Sequence, residues 1–173
     1  MSFIFLLYLC AMKVLYLHGL DSSLQNDRRA ALERYGEVAA PQLSYRSSPH
    51  LLEQLIAEYA TVDALVGSSA GGLVAYYLAQ LLAKPALLLN PALPFREEVP
   101  ADLPLPADHR AYMRVVIGLR DAVVDPWASV AVLKEDSARL SALDIVLLGA
   151  MEHSYPIEIF EEQLKEFMAN RNQ

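Results

Sequence analysis

The ten residues Asp63-Ala64-Leu65-Val66-Gly67-Ser68-Ser69-Ala70-Gly71-Gly72 constrain this chain more than any others. A short apolar run, 64–66, ends in Gly-x-Ser-x-Gly and passes directly into a long apolar segment, 73–83. That order reads as strand, sharp turn, helix. At such a turn a serine projects its Oγ clear of the sheet. Gly67 and Gly71 remove the Cβ atoms that would clash where turn, strand and helix meet. The helix that follows aims free N–H groups and the positive end of its dipole at whatever the serine attacks. The apex is Ser69; Ser68 precedes it and points elsewhere. By chance alone Gly-x-Ser-x-Gly turns up in roughly one chain in twenty of this length. The motif therefore carries weight only if the other groups that such a serine needs follow in workable order.

Apolar residues are 54% of the chain, more than soluble domains usually hold. The excess falls in unbroken runs, as expected of parallel strands buried on both faces. The runs predict strands at 13–17, 64–66, 85–89, 112–118 and 144–149, with a short one at 38–40. Helices are predicted between them: 24–35 stopped by Gly36, one capped by Ser48 with Pro49 in its first position, then 70–83 and 127–133. A final helix presents Phe160, Leu164, Phe167 and Met168 on one face. With 173 residues, the chain has the size of one domain that buries about 70% of its unfolded surface. The fold expectation is a single α/β domain over 12–173, its sheet mostly parallel, with helices on both faces and no large lid.

Other classes are disfavoured. Net charge is −7 with no Lys/Arg cluster, so nucleic acid is an unexpected partner. One cysteine, Cys10, closes no internal disulfide, and no Cys/His spacing suggests a metal; a reducing cytoplasm is the expected compartment. The apolar segment 1–11 lacks a preceding Lys or Arg and is too short to span a bilayer. It reads as an upstream extension, with Met12 as the functional start. Oligomeric state is left open, since apolar surplus serves core and interface alike.

In open parallel sheets ligands bind at the carboxyl edge of the strands, so chemistry is expected in the loops leaving those ends. After 13–17 comes His18-Gly19-Leu20-Asp21-Ser22-Ser23. Stabilising an oxyanion takes one N–H after the nucleophile and one from an early strand–helix loop, which nominates Ala70 and Leu20. The His18 imidazole is expected to be structural, and His50 a solvated residue. After 112–118 two aspartates compete as acid. Asp125 precedes Pro126 and a helix, the pattern of an N-cap; Asp121 lies in the first turn off the strand and is taken as the acid. His153 follows the last strand at the same edge, and His109, in the proline-rich stretch 91–111, is the reserve. That stretch is read as a small flap lining an acyl or leaving-group pocket.

Ser69, Asp121 and His153, each after a separate strand, follow the order of α/β-hydrolases. The chain also resembles the small lid-less YqiA-like esterases of bacteria. The resemblance rests on Tyr16-Leu17-His18-Gly19-Leu20-Asp21-Ser22-Ser23, on Val66-Gly67-Ser68-Ser69-Ala70-Gly71-Gly72, on Leu89-Asn90-Pro91-Ala92, on 118–125 and on His153. It implies a cytoplasmic α/β-hydrolase that cleaves small acyl esters or thioesters, with Ser69, Asp121 and His153 as catalytic triad and no metal or organic cofactor. Two other functions fit the same residues: a hydrolase-shaped module that binds a ligand without turnover, and an amidase or peptidase using the same triad.

Overall fold

The computed structural model describes residues 11–98 and 103–172. All but the last residue of the 1–11 segment lies outside that range. Among the described residues, six strands form one sheet: β1 (Lys13–Leu17), β2 (Glu37–Ala39), β3 (Ala64–Ser68), β4 (Ala86–Leu89), β5 (Met113–Gly118) and β6 (Leu143–Leu148). Their order is β2-β1-β3-β4-β5-β6 and every pairing is parallel. The helices are α1 (Asn26–Glu33), α2 (Leu51–Tyr59), α3 (Ala70–Leu82), α4 (Pro126–Asp136) and α5 (Ile157–Asn170).

Strand residues alternate between two separate cores, which is why the apolar runs are unbroken. Leu15, Leu17, Leu65, Leu88, Val115 and Ile117 face the layer that includes Leu52 and Leu55 of α2, most of α3, and Val132 and Leu133 of α4. Val14, Tyr16, Val66, Leu87, Leu89 and Val116 face α1 and α5, where Leu32, Phe160, Leu164 and Phe167 are buried. Cutting one such leucine to alanine costs about 2–5 kcal/mol. Helix α3 is buried from Gly71 to Gln80, so its sequence is apolar nearly all round.

Because β1 lies between β2 and β3, the chain leaves β1 toward one side and returns on the other. The loops after β1 and β3 diverge there and open a crevice at the carboxyl edge.

Several local expectations differ from the structure. Gly36 is not a left-handed helix stop: no glycine among the described residues has positive φ, and α1 ends at Glu33 with Arg34 in a right-handed cap. Gly36 is needed because a methyl there would lie 1.9 Å from the Met12 carbonyl oxygen. Ser48 does not cap α2 by its side chain; the N-cap position is His50, without a side-chain bond, and Ser48 contributes only its carbonyl to the Leu51 amide at 3.3 Å. Helix α4 runs three residues beyond the expected end at Leu133, to Asp136.

Candidate active site

Ser69 sits between β3 and α3 with φ 54° and ψ −120°, a backbone that costs a non-glycine residue about 1–3 kcal/mol. It persists because both of its peptide groups are held. The Ser69 N–H donates to Leu89 O at 3.1 Å, and its carbonyl accepts from Leu73 N at 3.1 Å and Ala92 N at 3.0 Å. The turn closes only without side chains on its flanks. A methyl on Gly71 would meet Leu17 O at 2.1 Å, and one on Gly67 would meet Gly71 O at 2.5 Å.

The turn brings Ser69 Oγ to 3.1 Å from His153 Nε2, while His153 Nδ1 lies 2.7 Å from Asp121 Oδ2. A carboxylate accepts, so the proton belongs on Nδ1, and Nε2 is left free to accept from the serine hydroxyl. Asp121 is itself fixed: its Oδ1 accepts from Val123 N and Val124 N, both at 2.8 Å, and its side chain is 1% exposed. His153 is partly open, 24% exposed at the side chain. Asp125 does something else. Its Oδ1 accepts from Trp127 N at 2.8 Å and Ala128 N at 3.1 Å, with Pro126 opening α4.

The His18 ring lies behind this edge, 3% exposed. Its Nδ1 donates to Gly19 O at 2.6 Å and its Nε2 accepts from Leu43 N at 2.8 Å. Both nitrogens tie the loop after β1 to the segment after β2, so the ring is a brace. His50 is solvent-exposed, its Nδ1 3.6 Å from Glu53. His109, the reserve, is excluded as a partner of Ser69. It bridges to Leu140, with its N–H on Arg139 O and its carbonyl on Ser141 N. Those residues precede β6, at the amino edge of the sheet, opposite to Ser69.

A cleft of about 1240 Å³ opens over Ser69 and His153. Leu20 and Ala70 line it, and the amides of both donate to no group among the described residues. Gly19 passes close by: a methyl on it would stand 3.4 Å from Ser69 Cβ. Its lining includes apolar Leu73, Phe95, Val123 and Ile157 and polar Ser22, Ser23 and Arg46. Of the stretch 91–111, expected to be a flap, residues 99–102 lie outside the described residues. Ala92, Phe95 and Glu98 face the cleft, but Leu103 and Leu105 pack on the core beneath α2–α4. Among the described residues no group of three or more His, Cys, Asp and Glu could hold a metal, and no helix is long and apolar enough to cross a membrane.

Sequence reasoning missed the partner of Ser68. Its Oγ lies 2.9 Å from the Tyr155 hydroxyl. Burial pushes the Tyr155 phenol above its ordinary value, so it meets Ser68 as a neutral hydroxyl. Arg28 covers that ring at 5.2 Å and donates to Tyr155 O at 2.7 Å. Nothing local in Ser68-Ser69 announces a tyrosine 87 positions on.

A parallel sheet carrying a strained serine turn at its carboxyl edge is the architecture of the α/β-hydrolase fold. Solved structures agree. The chain is similar to esterase Pf2001 of Pyrococcus furiosus (15% identity, TM-score 0.68, covering 93% of this chain and 83% of that one). It is also similar to the mouse alpha/beta hydrolase domain-containing protein 10 (12%, 0.64, 91% and 89%). An uncharacterized Bacillus cereus protein matches at 21% identity and TM-score 0.66 over 94% of this chain, which spans only 60% of that one. At these identities the likeness is one of fold. The particular family follows from residues 13–115, which match the model of the uncharacterised protein family UPF0227; the chain belongs to that family, the YqiA-like one that its motifs resemble.

Proposed function

We propose that this chain is a serine hydrolase that cleaves small acyl esters or thioesters through a covalent acyl-enzyme. One observation carries the reading: Ser69 Oγ, His153 and Asp121 form a continuous hydrogen-bonded line, 3.1 Å then 2.7 Å, that ends in an open cleft. His153 Nε2 takes the Ser69 proton as Oγ attacks the acyl carbon. The carbonyl π pair moves onto oxygen, where the free amides of Leu20 and Ala70 receive the developing charge. Asp121 holds the imidazolium that has formed. Collapse expels the alkoxide or thiolate, which takes the proton from His153 and leaves the acyl group on Ser69. Water then gives its proton to His153, attacks the same carbon, and releases the carboxylic acid and the serine hydroxyl. The apolar side chains in the cleft lining suit an acyl chain of modest length. A reducing cytoplasm suits a chain with one cysteine, and cell fractionation checks it.

A fluorophosphonate probe tests the nucleophile: it is expected to label the intact protein and to fail on Ser69→Ala. Folded protein that stays unlabelled defeats the reading and leaves a binding module. A panel of para-nitrophenyl esters, acyl-CoA thioesters and aminoacyl amides then assigns the bond; preference for the amides would move the activity to an amidase or peptidase.

A further inference from the structure

The loop that carries His153 follows an edge strand, and something must fix it before the imidazole can meet Ser69. Asn90 is placed to do so. It leaves β4 at φ 43° and is 3% exposed, without lining the cleft. Its Nδ2 donates to the carbonyls of Glu152 at 2.8 Å and His153 at 3.1 Å. Its Oδ1 accepts from Gly118 N at 2.8 Å, three positions before Asp121, and its own N–H donates to Val116 O at 2.8 Å. The residues around it, Leu89 and Ala92, hold the two peptide groups of Ser69. A four-residue segment therefore grips the backbone of the serine, the end of the strand that leads to the acid, and the main chain of the histidine.

The chemistry asks for asparagine. The site needs two donors at one end of a planar group and an acceptor at the other, on a short stem, which an amide supplies and a carboxylate does not. It also needs a residue that tolerates positive φ, as asparagine does.

We infer that Asn90 is the positioning residue that sets His153 against Ser69, by clamping the main chain at 152–153 to the end of β5. Its kinetic consequence rests on the serine-hydrolase reading; its structural consequence does not.

Two variants separate side chain from backbone. Asn90→Gly keeps positive φ accessible and removes the clamp. Asn90→Asp keeps the acceptor for Gly118 but turns a carboxylate oxygen toward two carbonyls. In both, kcat for para-nitrophenyl butyrate is expected to fall about 10²-fold with KM changed by less than about threefold, since misplacing a reacting group by an ångström costs that much. The far-downfield proton NMR signal of His153 Nδ1–H on Asp121 should broaden or vanish. Leu133→Ala, a lesion at a buried core residue that does not line the cleft, should lower Tm while leaving kcat and that signal in place. A folded Asn90→Gly, or Asn90→Asp where the glycine variant does not fold, with wild-type kcat and an unchanged His153 signal overturns the assignment. If the unaltered protein neither turns over the ester nor takes the probe, the hydrolase reading fails, and the NMR comparison still decides the clamp.

Discussion

Two histidines lie at opposite edges of the same sheet, and their surroundings could hardly differ more. His153, at the carboxyl edge, is partly exposed and has both ring nitrogens engaged, one on Asp121 and one on Ser69. His109, at the amino edge, is 2% exposed, and neither ring nitrogen has a partner among the described residues. Burial alone does not make a histidine useful. A carboxylate behind the ring fixes its tautomer and orientation. Without one, burial beside Arg139 holds the His109 imidazole below its ordinary value, with Asp108 only partly opposing. One edge pairs its imidazole with a carboxylate and a hydroxyl, and the other leaves both ring nitrogens without a partner among the described residues.

The sharpest way to break this contrast is to remove each ring in turn. His153→Ala should lower kcat by ~10⁶, as should Ser69→Ala, because members of such a unit fail together. His109→Ala should leave kcat nearly unchanged and destabilise the fold by roughly 1–3 kcal/mol, the usual range for a buried truncation. Ester hydrolysis and urea unfolding on the same preparations check both. Equal kinetic losses from the two variants would sink the assignment of roles. Next in size is the carboxylate pair. Asp121→Asn should cost ~10⁴ in kcat by allowing the wrong tautomer. Asp125→Ala, which removes the acceptor for Trp127 and Ala128, should cost about 1 kcal/mol of stability and little activity.

The sequence made the carboxyl edge legible and the amino edge obscure, for physical reasons. Strands buried on both faces write themselves as unbroken runs such as Lys13–Leu17, and a serine turn writes itself in glycines that only tight backbone requires. The roles of Asp121 and Asp125 could be separated because capping is local: Pro126 betrays its neighbour. What stayed hidden depends on partners distant in sequence. Asn90 stood only as part of a resembling motif, since its partners lie 28, 62 and 63 positions later. Gly36 looked like a helix stop because close approach to Met12 and positive φ call for the same residue. Prolines spaced along 91–111 suggest one flap, although Ala92 and Phe95 lie at the cleft and His109 at the amino edge. The sequence alone does not place His109, because the edge of a parallel sheet at which a loop residue lies depends on how far the loop has travelled before the next strand begins.

The smallest expected effect tests the proton that His109 refuses. Its native pKa lies below that of the unfolded chain, so from about pH 6.5 downward the unfolded state binds a proton that the native state does not. Stability therefore falls as pH drops through that point, and the loss stops growing once pH passes beneath the native value. Above pH 7 the group is neutral in both states and contributes nothing to the slope. His109→Phe keeps a ring in the space and abolishes the titration. Its Tm should fall less than that of the unaltered protein between pH 7.5 and pH 5, while the two run parallel above pH 7. The carboxylates of the chain titrate in both proteins, so only the difference between the curves reports on His109. Identical slopes would mean that the imidazole finds a partner for its proton after all, and the contrast between the two edges would narrow to one of geometry.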